Sequence, residues 1–137
     1  LVSKCESVKV TNGETIYGLD ACMAHLMRPG MYGAYHEIII PKKEGNKSQI
    51  ASVVGTLCEN NDWFAKDREL PVSEIGDLFV ICDTGAHSHS MGFNYNGALR
   101  APEVIITKDD RIKVIRKRET FVSQFENCCD IDILVRD

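Results

Sequence analysis

Val53-Val54-Gly55-Thr56-Leu57-Cys58-Glu59-Asn60-Asn61-Asp62 is a β-prone apolar run that ends in a cluster of turn-forming polar residues. From Ser48 to Leu57 apolar and β-branched side chains follow one another without helical spacing, and Asn60-Asn61-Asp62 breaks the run. The stretch reads as a strand with a thiol and a carboxylate, Cys58 and Glu59, at its exit. A strand sends neighbouring side chains to opposite faces, but at a bulge or a strand end two neighbours can reach one pocket.

Outward from this strand the chain repeats the same grammar. Lys4 to Val10 and Glu14 to Leu19 are β-prone and separated by Thr11-Asn12-Gly13, whose Asn-Gly pair suits the positive φ angles of a tight hairpin. Asp20 is placed to cap a short helix through Leu26, which Pro29 ends, so that Arg28 leaves from the helix end. Tyr35 to Ile40 reads as a strand stopped by Pro41, and Lys42 to Lys47 as a charged surface loop. Trp63 to Leu70 carries the chain across to Pro71. Leu78 to Cys82, apolar throughout, reads as a buried strand. Glu103 to Thr107 and Arg111 to Arg116 form a second hairpin, Thr120 to Phe125 a brief helix, and Ile131 to Val135 a last strand. About seven or eight short strands with little helix predict an all-β, antiparallel sandwich or barrel.

The totals fit one domain over all 137 residues, with 44% hydrophobic and 26% charged residues. That length buries enough surface for an ordinary core. No apolar run approaches the ~20 residues that span a bilayer, so no membrane role is expected. A formal net charge of −4, with basic residues scattered apart from Arg116-Lys117-Arg118, argues against a nucleic-acid partner, which requires a basic face. The six cysteines follow no small-scaffold disulfide pattern and are read as reduced thiols of a cytoplasmic protein. Cys22-x-x-His25, His87-x-His89 and Cys128-Cys129 lack the second pair that structural zinc requires, and no metal is expected. The opening Leu1-Val2-Ser3-Lys4 has no basic-then-apolar leader, and the chain is expected to be a piece of something longer.

Two other segments mix glycines with aromatic and polar groups: Arg28-Pro-Gly-Met-Tyr32-Gly-Ala-Tyr-His36 and Asp83-Thr-Gly-Ala-His-Ser-His-Ser-Met-Gly-Phe-Asn-Tyr95-Asn96. Arginine-proline-x-x-tyrosine, then cysteine-glutamate-x-x-aspartate, then glycine-alanine followed by asparagine-tyrosine-asparagine, resembles the carboxy-terminal domain of the diaminopimelate decarboxylases over nearly the whole chain. The resemblance implies an antiparallel β-barrel of the alanine-racemase C-terminal type with one or two short helices. It also implies that a pyridoxal 5'-phosphate-binding TIM-barrel domain, carrying the lysine that anchors the cofactor, lies upstream and outside this chain. None of the lysines here has a matching context. The implied activity is conversion of meso-diaminopimelate to L-lysine and carbon dioxide by a homodimer.

Alone, Cys58 reads as a small buried hydrophobe, Arg28 as a surface charge, Tyr32 as core or rim, and Tyr95 as a half-buried strand residue. Glu59 shifts the reading of its neighbour, because an unpaired carboxylate belongs at a wet pocket or interface. The resemblance then assigns roles. Cys58 stands near the reacting carbon, where a thiol can act as the acid that returns a proton. Glu59 grips the distal amino group, Arg28 and Tyr32 bind the distal carboxylate, and Tyr95 lies beside the cofactor phosphate. Gly85 and Gly92 lack dinucleotide-binding spacing and read as turn glycines. His25, His36, His87 and His89 receive no role. Two alternatives stay open: a sister decarboxylase for ornithine, arginine or carboxynorspermidine, against which Glu59 speaks, and a non-catalytic binding or regulatory domain on the same barrel.

Overall fold

A computed structural model describes residues 1–43 and 45–128, which fall into two compact units, residues 1–100 and residues from Ala101 onward. The first unit holds a six-stranded sheet in the order β3-β6-β1-β2-β4-β5. Its strands are β1 (Val2–Thr11), β2 (Glu14–Leu19), β3 (Ile38–Ile39), β4 (Ser48–Val54), β5 (Trp63–Pro71) and β6 (Leu78–Ile81). The sheet is strongly curved and nearly closed, as expected of the barrel, with one departure: β2 and β4 pair in parallel while the other ladders are antiparallel. The parallel pair arises because residues 20–47 return the chain to the far end of β2 before β4 begins.

The first hairpin forms as its turn chemistry dictates, with Asn12 at φ 52° and Gly13 at φ 80° joining β1 to β2. Alternation along β2 sends Thr15, Tyr17 and Leu19 inward. Tyr17, Val53, Phe64, Phe79 and Ile81 fill the interior, and the rings of Tyr17 and Phe79 meet tilted at 5.4 Å. The buried Tyr17 hydroxyl accepts hydrogen bonds from Gln49 Nε2 at 2.7 Å and Ser73 N at 3.0 Å, so its polar end costs little. The edge strands approach each other through one side chain: Arg68 of β5 donates from Nη1 to the carbonyl oxygen of His36, just before β3.

Several expectations need correction. No helix runs from Asp20 to Leu26; the Asp20 carboxylate instead accepts from Ser3 Oγ and Lys4 N, tying β1 to the end of β2. Pro29 opens a helix rather than ending one. Its lack of an N–H is harmless in a first turn, and α1 (Arg28–Tyr32) starts there and stops at left-handed Gly33. The strand expected over Tyr35 to Ile40 is only Ile38–Ile39. In β6 Phe79 and Ile81 are buried but Leu78 is exposed, so an unbroken apolar run lies on a one-sided strand. The second unit contains the expected hairpin, β7 (Glu103–Ile106) with β8 (Ile112–Arg116), and α3 (Phe121–Gln124), which Thr120 caps through Ser123 N. The strand expected at Ile131 to Val135 lies outside the described residues.

Candidate functional site

The exit of β4 is built around one carboxylate. Asp62 is buried, and its two oxygens accept from Met23 N and Leu57 N, each at 2.6 Å. Burial pushes the Asp62 carboxyl above its ordinary range, while these backbone donors and the nearby His25 oppose the shift. Gly55 passes so close that an added Cβ would meet the Asp62 carboxylate at 2.3 Å. Gly55 N donates to Asp62 O at 2.9 Å and Asp62 N to Glu59 O at 3.0 Å, which closes the loop carrying Cys58 and Glu59. The fixed loop leaves Cys58 exposed and Glu59 half-buried.

Glu59 Oε1 accepts from Asn61 N at 3.0 Å, a local bond that sets the carboxylate's direction. Asn96 Nδ2 donates to Cys58 Sγ at 3.2 Å, which joins two of the three motif segments. Tyr95, 46% exposed, sits on the same short turn, Tyr95–Gly97, where Asn96 takes φ 56°. That turn belongs to a long loop that includes α2 (Ser88–Met91). The loop is hung on the segment after β2: Phe93 N donates to Ala24 O at 3.3 Å, and His25 Nε2 donates to Leu99 O at 3.0 Å. A carbonyl can only accept, so His25 is protonated at Nε2, and its Nδ1 accepts from Cys22 N at 3.1 Å. Both ring nitrogens are thus occupied. Burial pushes the neighbouring Cys22 thiol up.

The third segment reaches the loop through its backbone. A Cβ on Gly30 of α1 would lie 1.9 Å from Asn61 O, so only glycine lets α1 rest against the Cys58-Glu59 loop. Arg28 begins this helix, and its Nη1 lies 3.3 Å from His36 Nε2; Tyr32 ends it, 66% exposed. The structure therefore brings Cys58 against Asn96 and α1 against the loop, while Arg28 points to His36 and Glu59 to its own loop.

Asp62, His36, His25 and Asn96 are the structural actors that sequence reasoning left without roles. Asp62 had a signal, since an aspartate in a turn cluster can gather several backbone N–H groups. The histidines had none, because each is fixed in part by a carbonyl far along the chain, Leu99 O for His25 and Cys82 O for His36. Among the described residues no group of three His, Cys, Asp or Glu side chains is arranged to hold a metal ion. The donors of the Tyr95 turn do suit a phosphate: a half-exposed phenol flanked by Asn94 and Asn96, with no carboxylate between Phe93 and Arg100.

Residues 1–85 match the family model described as "Pyridoxal-dependent decarboxylase, C-terminal sheet domain". The chain is 52% identical over 113 residues to Protein TabA of Pseudomonas amygdali pv. tabaci, covering 82% of this chain and 27% of that protein. It is 41% identical over 121 residues to the diaminopimelate decarboxylase of Methanocaldococcus jannaschii, covering 88% of this chain and 27% of that one. A crystal structure of the enzyme from that archaeon superposes with a TM-score of 0.89 at 37% identity, over 96% of this chain and 30% of the solved one. The Helicobacter pylori enzyme complexed with L-lysine gives 0.83 at 32% identity, over 92% and 30%. The chain thus spans between a quarter and a third of the length of these relatives. On the extent of these matches, the chain belongs to the pyridoxal-dependent decarboxylase family, as its C-terminal sheet domain.

Proposed function

We propose that residues 1–137 are the carboxy-terminal domain of a pyridoxal-phosphate-dependent decarboxylase that converts meso-diaminopimelate to L-lysine and carbon dioxide. The observation that carries this reading is the convergence of the three motif segments: Asn96 on Cys58 at 3.2 Å, and Gly30 of α1 against Asn61 of the same loop. Two of the relatives described above are diaminopimelate decarboxylases, and one was solved with L-lysine.

When bound, pyridoxal phosphate supplies the electron sink that decarboxylation of an amino acid requires. This chain's residues do the rest. Tyr95 would hold the phosphate through its hydroxyl. Arg28 presents a planar fork suited to bidentate capture of the distal carboxylate, with Tyr32 one helical turn away. Glu59 takes the distal ammonium; Asn61 N occupies one carboxylate oxygen, and the other carries no hydrogen bond among the described residues. Cys58 delivers the proton from Sγ to the carbon that has lost carbon dioxide. Asn96 holds that sulfur in place while leaving it exposed.

The enzyme is read as a cytoplasmic homodimer in which Cys58 and Glu59 complete the partner's site. Complementation tests this. A full-length Cys58→Ala variant is mixed with one lacking the upstream cofactor-anchoring lysine. An isologous dimer makes two composite sites, so about half of randomly exchanged dimers regain one intact site, and up to roughly a quarter of wild-type activity should return. No recovery despite demonstrated subunit exchange would refute the shared site.

A further inference from the structure

His36 is 2% exposed, and nothing in the reading above gives it a role. Both of its ring nitrogens are engaged. Nδ1 lies 2.8 Å from the carbonyl oxygen of Cys82, and since a carbonyl only accepts, Nδ1 carries the proton. Nε2 of the neutral ring then offers a lone pair, and Arg28 Nη1 stands 3.3 Å from it. A guanidinium only donates, so the direction is fixed: Arg28 gives, His36 receives.

The backbone of His36 is held as firmly. Arg68 donates to its carbonyl oxygen while lying over the Tyr35 ring at 4.2 Å, and β3 begins two residues later by pairing Ile38 with Ile81. The Cys82 carbonyl follows directly on β6. The imidazole is therefore a rigid strut between the β6 end of the sheet and the first residue of α1. At 3.3 Å the contact is long, and its value lies in orientation. It occupies one of the five N–H groups of the guanidinium and sets the plane of the fork, leaving the other donors to a planar acceptor.

We propose that His36 is a positioning residue for Arg28: it aims the guanidinium at the substrate's distal carboxylate and so favours amino acids that carry one over amines that do not. This rests on the assignment of Arg28 made above. A histidine that merely fills the core would serve all ligands equally, and that difference is measurable.

The test uses the full-length, cofactor-loaded enzyme and two ligands, L-lysine, which keeps a carboxylate at the far end, and cadaverine, which has none. His36→Asn keeps a donor toward Cys82 O but offers Arg28 no acceptor; His36→Gln restores an acceptor near the Nε2 position. By titration calorimetry His36→Asn should weaken L-lysine about ten-fold and cadaverine by less than about two-fold, and His36→Gln should recover most of the loss. The KM for the diamino diacid should rise while kcat stays within about two-fold. Arg28→Lys should weaken L-lysine at least as much, and adding His36→Asn to it should cost little more. Equal losses for both ligands would show a structural role and overturn the proposal. So would normal L-lysine binding in His36→Asn beside impaired binding in Arg28→Lys, with the Arg28 assignment left standing. Normal binding in Arg28→Lys would remove that assignment and this inference together. Nitrogen-15 shifts of His36 in the unsubstituted enzyme give a reading independent of folding: Nδ1 protonated and Nε2 bare supports the strut, and a protonated Nε2 overturns it.

Discussion

β4 and β8 have similar apolar, β-branched sequences but opposite surroundings. In β4 Ala51, Ser52 and Val53 are all buried between β2 and β5, whereas in β8 every residue from Ile112 to Arg116 is exposed. Val104 and Ile106 of β7 are exposed as well, at 53% and 68%. Residues 1–100 hold their strands with a core of their own. The β7-β8 hairpin is held by its ladder, by an exposed Glu103–Arg116 ion pair and by the Thr107–Asp109 turn. A ladder and a surface ion pair contribute little without apolar burial, and a two-stranded hairpin is marginal by itself. Strand-forming sequence and strand stability are therefore separate properties.

The comparison can be broken from its strong end. Phe64 is fully buried, and Phe64→Ala should lower the unfolding free energy of the chain by about 3–5 kcal/mol, measured by urea unfolding. A loss below about 1 kcal/mol would mean that the core of residues 1–100 is not what stabilises them.

The middle of the scale is the Asp62 pin. Asp62→Asn keeps only one oxygen for two backbone donors, so it should cost about 1–3 kcal/mol near neutral pH. The cost has a sign with pH. The folded carboxyl lies above its ordinary 3.8, so the folded chain keeps that proton to a higher pH than the unfolded chain. Asp62's proton-linked contribution is fully present below 3.8 and is lost as pH rises through the folded value. Wild type minus Asp62→Asn stability, followed by urea unfolding across this interval, should therefore fall with rising pH. The opposite slope would mean that the Met23 and Leu57 bonds outweigh burial.

At the weak end, Ile112→Ala should change the stability of the chain by no more than about 0.5 kcal/mol, because Ile112 is 70% exposed. A loss approaching that of Phe64→Ala would show the hairpin to be covered, and the contrast with β4 would disappear.

The same contrast explains what was legible in the sequence. Asn12-Gly13 announced a hairpin because positive φ is written in residue type. The strand before Cys58 and Glu59 was legible because an apolar run met a turn cluster, but β4 ends at Val54 and not at Leu57, because Asp62 draws Gly55 and Leu57 into a loop. What escaped depends on distant partners. Asp20 looked like a helix cap, but Ser3 and Lys4 claimed its carboxylate from 17 and 16 residues away. Pro29 was read as a helix end, but a missing N–H suits the first turn of a helix equally well, and α1 opens there. The exposure of Leu78 and Ile112 was invisible, since apolar residues look alike whether or not anything covers them. The proposed roles of Arg28, Tyr32, Cys58, Glu59 and Tyr95 came from motif order, not from periodicity.

Gly30 against Asn61 has a consequence for how this site could be re-engineered. The helix that begins with Arg28 and the loop that carries Cys58 meet main chain to main chain, with no side chain between them to enlarge or trim. On the proposed reading Arg28 serves its own chain's site while Cys58 and Glu59 complete the partner's, so this backbone contact ties two neighbouring sites together like a shared spine. A change that moves α1 in one site would move the Cys58 loop in the other. Exchanging α1 and the 55–62 loop as one cassette would therefore alter both sites of a dimer at once.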